Sequence, residues 1–221
     1  MVTRTAGGAG LLVVSLLLSS SCSRTYYAAM HKLGKEKRDI LVARIKDGKK
    51  DQDQAREQLK TTMQAFQELT GFQGGDLEKI YNKLNKEYES AQSRADKVSD
   101  QVKSIDKVAS DLFKEWSGEI DQMQDRELKS KSRAMLKDAQ SRHEQYMAAM
   151  HATEKKMEPV LQAFHDQVTF LKHNLNARAI KSLKGTAARI DNQVQSLMVD
   201  IERSMKEADA FVASLSKTDE G

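Results

Sequence analysis

The sequence of 221 residues contains one proline, one cysteine and 11 glycines, and only 5% of its residues are aromatic. Proline and glycine punctuate turns, so their scarcity excludes a turn-rich β architecture and a low-complexity linker. A lone cysteine, Cys22, excludes an intramolecular disulfide and any paired-cysteine metal or redox motif. Neither sign of charge dominates: 36 Lys+Arg stand against 32 Asp+Glu, mixed along nearly every stretch. That mixing excludes the clustered basic footprint of a nucleic-acid binder. Also missing is an apolar run of the roughly 20 residues that a membrane span requires. The one strongly apolar block, "LLVVSLLL" at 11–18, is far shorter. What is present in quantity is charge, 31% of residues, which with so little proline and glycine favours long helices.

The apolar block follows a single positive charge, Arg4, and precedes Ser19, Ser20 and Ser21, the order of a secretory signal. Cys22 comes next. A cysteine closing such a segment resembles a bacterial lipobox, in which residues 1–21 are removed and Cys22 becomes a mature N-terminus acylated on sulfur and amine with palmitate-type chains. The sequence departs from that pattern at Ser19, where leucine is usual, with Leu18 one place further back. Ordinary cleavage among the serines is the alternative, and it leaves Cys22 as a free thiol. By the same resemblance Ser23, in place of aspartate, directs the protein to the outer rather than the inner membrane. The expectation is a single domain, residues 22–221, on the periplasmic face of the envelope, tethered to the membrane by an N-terminal lipid.

From Leu77 to Met123 the apolar positions Leu77, Tyr81, Leu84, Tyr88, Ala91, Ala95, Val98, Val102, Ile105, Ala109, Leu112, Trp116 and Met123 advance by alternating fours and threes, broken only at Glu119. A strict heptad drifts against the 3.6-residue turn, so a helix that keeps it supercoils around partners. Three further stripes are visible. One runs from Met30 to Leu69 with a weak centre at Gly48 and Gln52, which reads as a loosely packed layer. Another runs from Leu128 to Leu171, and the last from Ile180 to Phe211.

The breaks between stripes fall at "TGFQGGD" (70–76), "QDRE" (124–127) and "HNLNA" (173–177). Gly74 and Gly75 are expected to end the first helix and Asp76 to cap the second. Asn174 is expected in the left-handed position that closes the third, with Asn176 capping the fourth. Pro159 either kinks the third helix or starts the last one. With a kink, the helices span about 27–69, 76–123, 127–172 and 177–215. Similar lengths and short connections predict an all-α, elongated antiparallel four-helix bundle of coiled-coil type, up-down-up-down. In that topology the N-terminus, "QDRE" and the C-terminus share one end, and "GFQGGD" and "HNLNAR" meet at the other.

The strings "YYAAMHKLGKEKRDILVARI" (26–45), "GFQGGDLEKIYNKLN" (71–85), "MEPVL" (157–161) and "LKHNLNARAIKSLKG" (171–185) resemble those of a bacterial family catalogued as domain of unknown function 2959. Members of that family often carry a lipoprotein-type signal. The resemblance covers almost the whole chain after Cys22 and implies an anchor and helices, with no reaction, ligand or cofactor.

No catalytic constellation emerges from the residues. The histidines His143, His151, His165 and His173 are eight apart where they pair, about 12 Å of helical rise, so they read as solvated residues rather than metal ligands. "GFQGG" lacks the lysine and hydroxyl of a phosphate-binding loop. The expectation is therefore a non-enzymatic envelope lipoprotein without metal or cofactor. It would act as spacer, adaptor or scaffold and present Phe72, Gly74, Gly75, His173, Asn174, Asn176 and Arg178 at its far end to an envelope protein. The rival is a membrane-binding or membrane-shaping module that contacts lipid through a lateral face. Heptad surfaces pair readily, so a homo-oligomer stands beside the monomer.

Overall fold

The computed structural model describes residues 37–216, which form helices with short connections and no strand. The elements are α1 (Lys37–Thr70), α2 (Leu77–Gln122), α3 (Arg126–His173), α4 (Ala177–Ser182) and α5 (Lys184–Ser216). The signal segment, Cys22 and the expected start of the first helix lie outside the described residues. Elsewhere the expected bounds agree to within a residue or two, except that the last segment is divided. The division is slight. Leu183 keeps right-handed angles (φ −84, ψ −9) and its N–H reaches back only to Ile180, after which Ala187 N–H bonds Leu183 C=O at 2.9 Å. One tight step of 3₁₀ type therefore separates α4 from α5.

The helix starts are fixed by the side chains that the sequence marks. Asp76 accepts from Lys79 N–H at 3.0 Å, Asp125 from the N–H groups of Glu127 and Leu128, and Asn176 from those of Arg178 and Ala179. Each supplies an acceptor to amides that have no partner within their own helix. The ends differ from expectation. α1 stops at Thr70, where Gly71 N–H still bonds Gln67 C=O, and Gly74 and Gly75 turn the chain later with φ of 151° and 115°. Asn174 is not left-handed (φ −129, ψ 42); its amide donates to Leu171 and Phe170 carbonyls and its side-chain amide to Phe170. With a donor side chain covering the last turn, no positive φ is needed to close it.

α3 runs unbroken through Pro159, so the restart at proline is not adopted. Pro159 is exposed. The carbonyl it leaves unpaired, that of Lys155, lies on the side open to water, where the loss is least costly.

Cross-helix contacts set the register. On α1 and α2, Lys37 meets Glu115 (3.0 Å), Gln58 meets Glu87 (2.6 Å) and Glu68 meets Lys83 (2.5 Å), so numbers fall on one helix as they rise on the other. The same opposition holds between α2 and α3 (Trp116 with Ser132, Tyr88 with His165) and between α3 and α5 (Tyr146 with Phe211, Lys156 with Asp200). Between α1 and α3 the numbers rise together: Gln52 touches Met150 and Phe66 packs edge-on against Phe164 with centroids 6.0 Å apart. The connections 71–76 and 174–176 thus lie at one end. The start of α1, the connection 123–125 and the end of α5 lie at the other.

The four stripes are buried in one apolar core, and each fully enclosed Leu, Ile or Phe contributes about 1.5–3 kcal/mol. Three expectations are corrected. Leu128 is exposed at 57%, in the first turn of α3. In α2 the seam leaves the heptad after Ala109. Phe113 and Ile120 are buried, while Leu112 and Trp116 are half-buried. A helix drifts about 20° per heptad against a strict seven-residue repeat, so over six heptads the inward stripe moves by roughly one residue. That drift accounts for the break at Glu119. The weak centre of α1 is not loose: Gly48 and Gln52 are both buried, and a Cβ on Gly48 would sit 3.0 Å from Ile105 Cδ1.

Candidate functional site

The residues singled out from sequence sit on the two connections at one end. α4 lies against α1 there, so the α3–α4 turn is brought beside the end of α1. His173, Asn174, Asn176 and Arg178 are exposed, as are Gly74 and Gly75. Phe72 is half-buried and packs on the core, as does Leu175. Phe72 therefore closes the end of the apolar interior. The exposed aromatic at this end is Phe170, 41% accessible, one turn before His173.

The charge around it is of one sign. Between Asp166 and Asp191 there is no acidic residue, and this stretch carries Lys172, Arg178, Lys181, Lys184 and Arg189. All five are exposed. They are five of the 36 basic residues and none of the 32 acidic ones lies among them, so the remaining chain holds 31 against 32 and is close to neutral. Counting acids along the chain, rather than bases, is the signal that reveals it.

The histidines do not converge. His151 Nδ1 lies 2.9 Å from Glu154, and His165 stacks at a tilt on Tyr88 with centroids 5.8 Å apart. His143 is not solvated as expected. Its side chain is 12% exposed and wedged between Phe113 and Phe211, each 5.5 Å away, with Asp106 at 3.6 Å. Burial lowers its pKa below the ordinary 6.5, and Asp106 and Glu144 oppose that shift. Among the described residues no group of three or more His, Cys, Asp and Glu is placed to hold a metal ion, and no helix is long and apolar enough to cross a membrane.

A second polar group lies inside. Gln52, fully buried, donates from Nε2 to Ser204 Oγ at 2.7 Å and to Met150 Sδ at 2.8 Å. Its Oε1 and the hydroxyl of buried Tyr146 have no hydrogen-bond partner, and burial pushes the Tyr146 phenol well above its usual range. Asp200, also buried, is held by Lys156 and by Arg203 at 3.1 Å. None of these groups opens to a cleft with a nucleophile and base in reach of one another.

An elongated helical bundle, over the described residues, with one basic end and a polar middle layer is the class that these features define. A family model described as a protein of unknown function, DUF2959, matches residues 26–215. The chain belongs to that family. No curated protein and no solved structure matches it.

Proposed function

We propose that the chain is a non-enzymatic cell-envelope lipoprotein, a single domain over residues 22–221 built as an antiparallel up-down-up-down bundle of four long helical segments. It acts as a rigid spacer or adaptor. The observation that carries this reading is the register, with Lys37, the first described residue, at one end and the 71–76 and 174–176 connections at the other. A helix of 46 residues is about 70 Å long, so a rod fixed by lipid on Cys22 would hold that far end well away from the anchoring membrane. Four stripes buried within one chain need no second copy to cover them. A lateral membrane face is disfavoured by a surface whose exposed large apolar side chains, Leu128, Phe170 and Val199, are scattered among charges.

The test is the intact mass of the mature protein purified from membranes, with Cys22→Ala in parallel. A mass of residues 22–221 plus diacylglycerol and acyl chains, lost in the variant, supports the anchored rod. An unmodified protein in the soluble periplasmic fraction overturns it.

A further inference from the structure

We propose that the far end docks on the anionic headgroup surface of a phospholipid membrane, through the acid-free stretch that joins α3 to α5. This deepens the spacer reading and rests on it, replacing the envelope protein expected from sequence with a lipid surface. The first observation is charge. Lys172, Arg178, Lys181, Lys184 and Arg189 are exposed at one end of a molecule that is otherwise close to neutral, and none of the five forms an ion pair among the described residues. The acids on the neighbouring helices at that end are engaged: Glu68 is bound by Lys83 at 2.5 Å, and Asp76 accepts the Lys79 amide at 3.0 Å. Asp76 keeps its charge when it accepts an amide and Glu78 is exposed beside it in the first turn of α2, but the exposed Lys79 offsets one of them, so these helix ends set about one negative charge against the five.

The second observation is apolar. Phe170 projects from this end at 41% exposure with Lys172 two residues on. Basic side chains around an exposed aromatic are the composition that settles at a headgroup boundary, where the ring enters the interface and the cations meet phosphate.

Size decides between a lipid and a protein surface. The end of a rod about two helices wide, roughly 20 Å across, presents on the order of 400 Å², about half of what one partner commonly buries in a stable protein interface. A membrane is a continuous plane of charge and needs no matching pocket. Each basic residue brought near it raises partitioning roughly fivefold. With lipid at one end and a cationic cap at the other, the protein would bridge two surfaces about 70 Å apart.

The mature protein, purified from membranes, is reconstituted into neutral phosphatidylcholine vesicles and mixed with a second, fluorescent population. Capture of fluorescent vesicles that contain phosphatidylglycerol, with none of pure phosphatidylcholine, is the expected result. Capture should fall roughly 100-fold or more in the variant Arg178→Glu, Lys181→Glu, Lys184→Glu, whose circular dichroism should stay that of the parent. Three reversals at the other end (Arg126→Glu, Lys129→Glu, Lys131→Glu) should leave it unchanged. Equal capture of neutral vesicles, or full capture by the first variant, overturns the proposal. So does binding of poly-glutamate without binding of phosphatidylglycerol vesicles, which would place an acidic protein at this end. Failure of the anchor reading shows separately, as a protein without lipid mass that does not float with the first vesicles. The soluble chain is then sedimented directly with phosphatidylglycerol vesicles, where binding lost in the Arg178 variant sustains the basic end and binding retained overturns it.

Discussion

Two layers on the same helices contrast within the interior. Around Phe66 and Phe164 the interior is mainly apolar: the rings meet edge to face, Leu69 and Leu171 are fully buried one and two turns on, and the flanking Thr62 and Thr70 hydroxyls bond backbone carbonyls. Four turns back along α1, the layer at Gln52 holds an amide, a hydroxyl and a thioether in mutual contact, with Gly48 and Tyr146 one turn further. The first layer gains from transfer out of water. The second must offset the desolvation of Gln52, whose Oε1 has no partner, at a cost of about 1–3 kcal/mol. A buried polar layer of this kind contributes specificity rather than stability, because sliding α1 along its neighbours would take Gln52 away from both Ser204 and Met150 and leave its amide unpaired, while Ser204 would keep Met150.

The largest expected effect breaks the apolar layer. Phe164→Ala should lower stability by about 3–5 kcal/mol in urea unfolding, from lost burial plus a cavity that fixed helices cannot close. In the polar layer Ser204→Ala should cost about 1 kcal/mol, since Gln52 keeps Met150. The double change Gln52→Leu, Ser204→Ala should be neutral or stabilising, as removal of both partners leaves neither of the two unpaired. A loss beyond about 3 kcal/mol in that double variant would mean that the polar layer is a source of stability and would erase the contrast.

A smaller effect concerns His143, which touches Tyr146's neighbour Phe211 and links the polar layer to the near end. Burial depresses its folded pKa below 6.5, so the folded chain favours neutral imidazole. As pH falls through 6.5 the unfolded chain takes up a proton that the folded one resists. Stability should therefore decline from about pH 6.5 down to the folded pKa and become level in this group's contribution below it. The denaturation midpoint of His143→Phe should lose that slope, and an unchanged slope would show that other groups set the pH dependence.

The sequence showed one of these layers and mistook the other. Leu59, Met63, Phe66 and Leu69 repeat at helical spacing, and transfer energy makes such a stripe legible. Gly48 and Gln52 interrupt it, and neither residue type reveals from sequence whether it faces a void or a specific partner. Gln52 depends on Ser204, 152 residues away on another helix. Caps were legible because Asp76 and Asn176 act on amides two or three residues on. The shift of the α2 seam to Phe113 and Ile120 shows in the sequence only as the break at Glu119, since it comes from drift accumulated over six heptads. At the far end, Arg178, Lys181 and Lys184 were visible as charges. Their distinction lies in the absence of nearby acids, which a count along the chain reveals, and in exposure at an end where the expected topology already put "HNLNAR".

The smallest effect gives the sharpest reading of the middle layer, because it uses one substitution at three places. Gly118 and Gly185 lie in α2 and α5 with nothing within 4 Å of an added Cβ. Alanine there should stabilise by about 0.5–1 kcal/mol through reduced freedom of the unfolded chain, more at Gly118 in the interior of its helix than at Gly185 near a start. Gly48 offers the same helical gain, but its Cβ would stand 3.0 Å from Ile105 Cδ1 and 3.5 Å from the Tyr146 hydroxyl. Ile105 is itself fully buried and has little room to retreat. Gly48→Ala should therefore lose about 1 kcal/mol, leaving a gap of about 2 kcal/mol between chemically identical changes. That gap measures how tightly the helices close around the polar layer. If Gly48→Ala instead stabilises as much as Gly118→Ala in thermal melts, the layer has slack, and the loose centre suggested by the interrupted stripe is the better description.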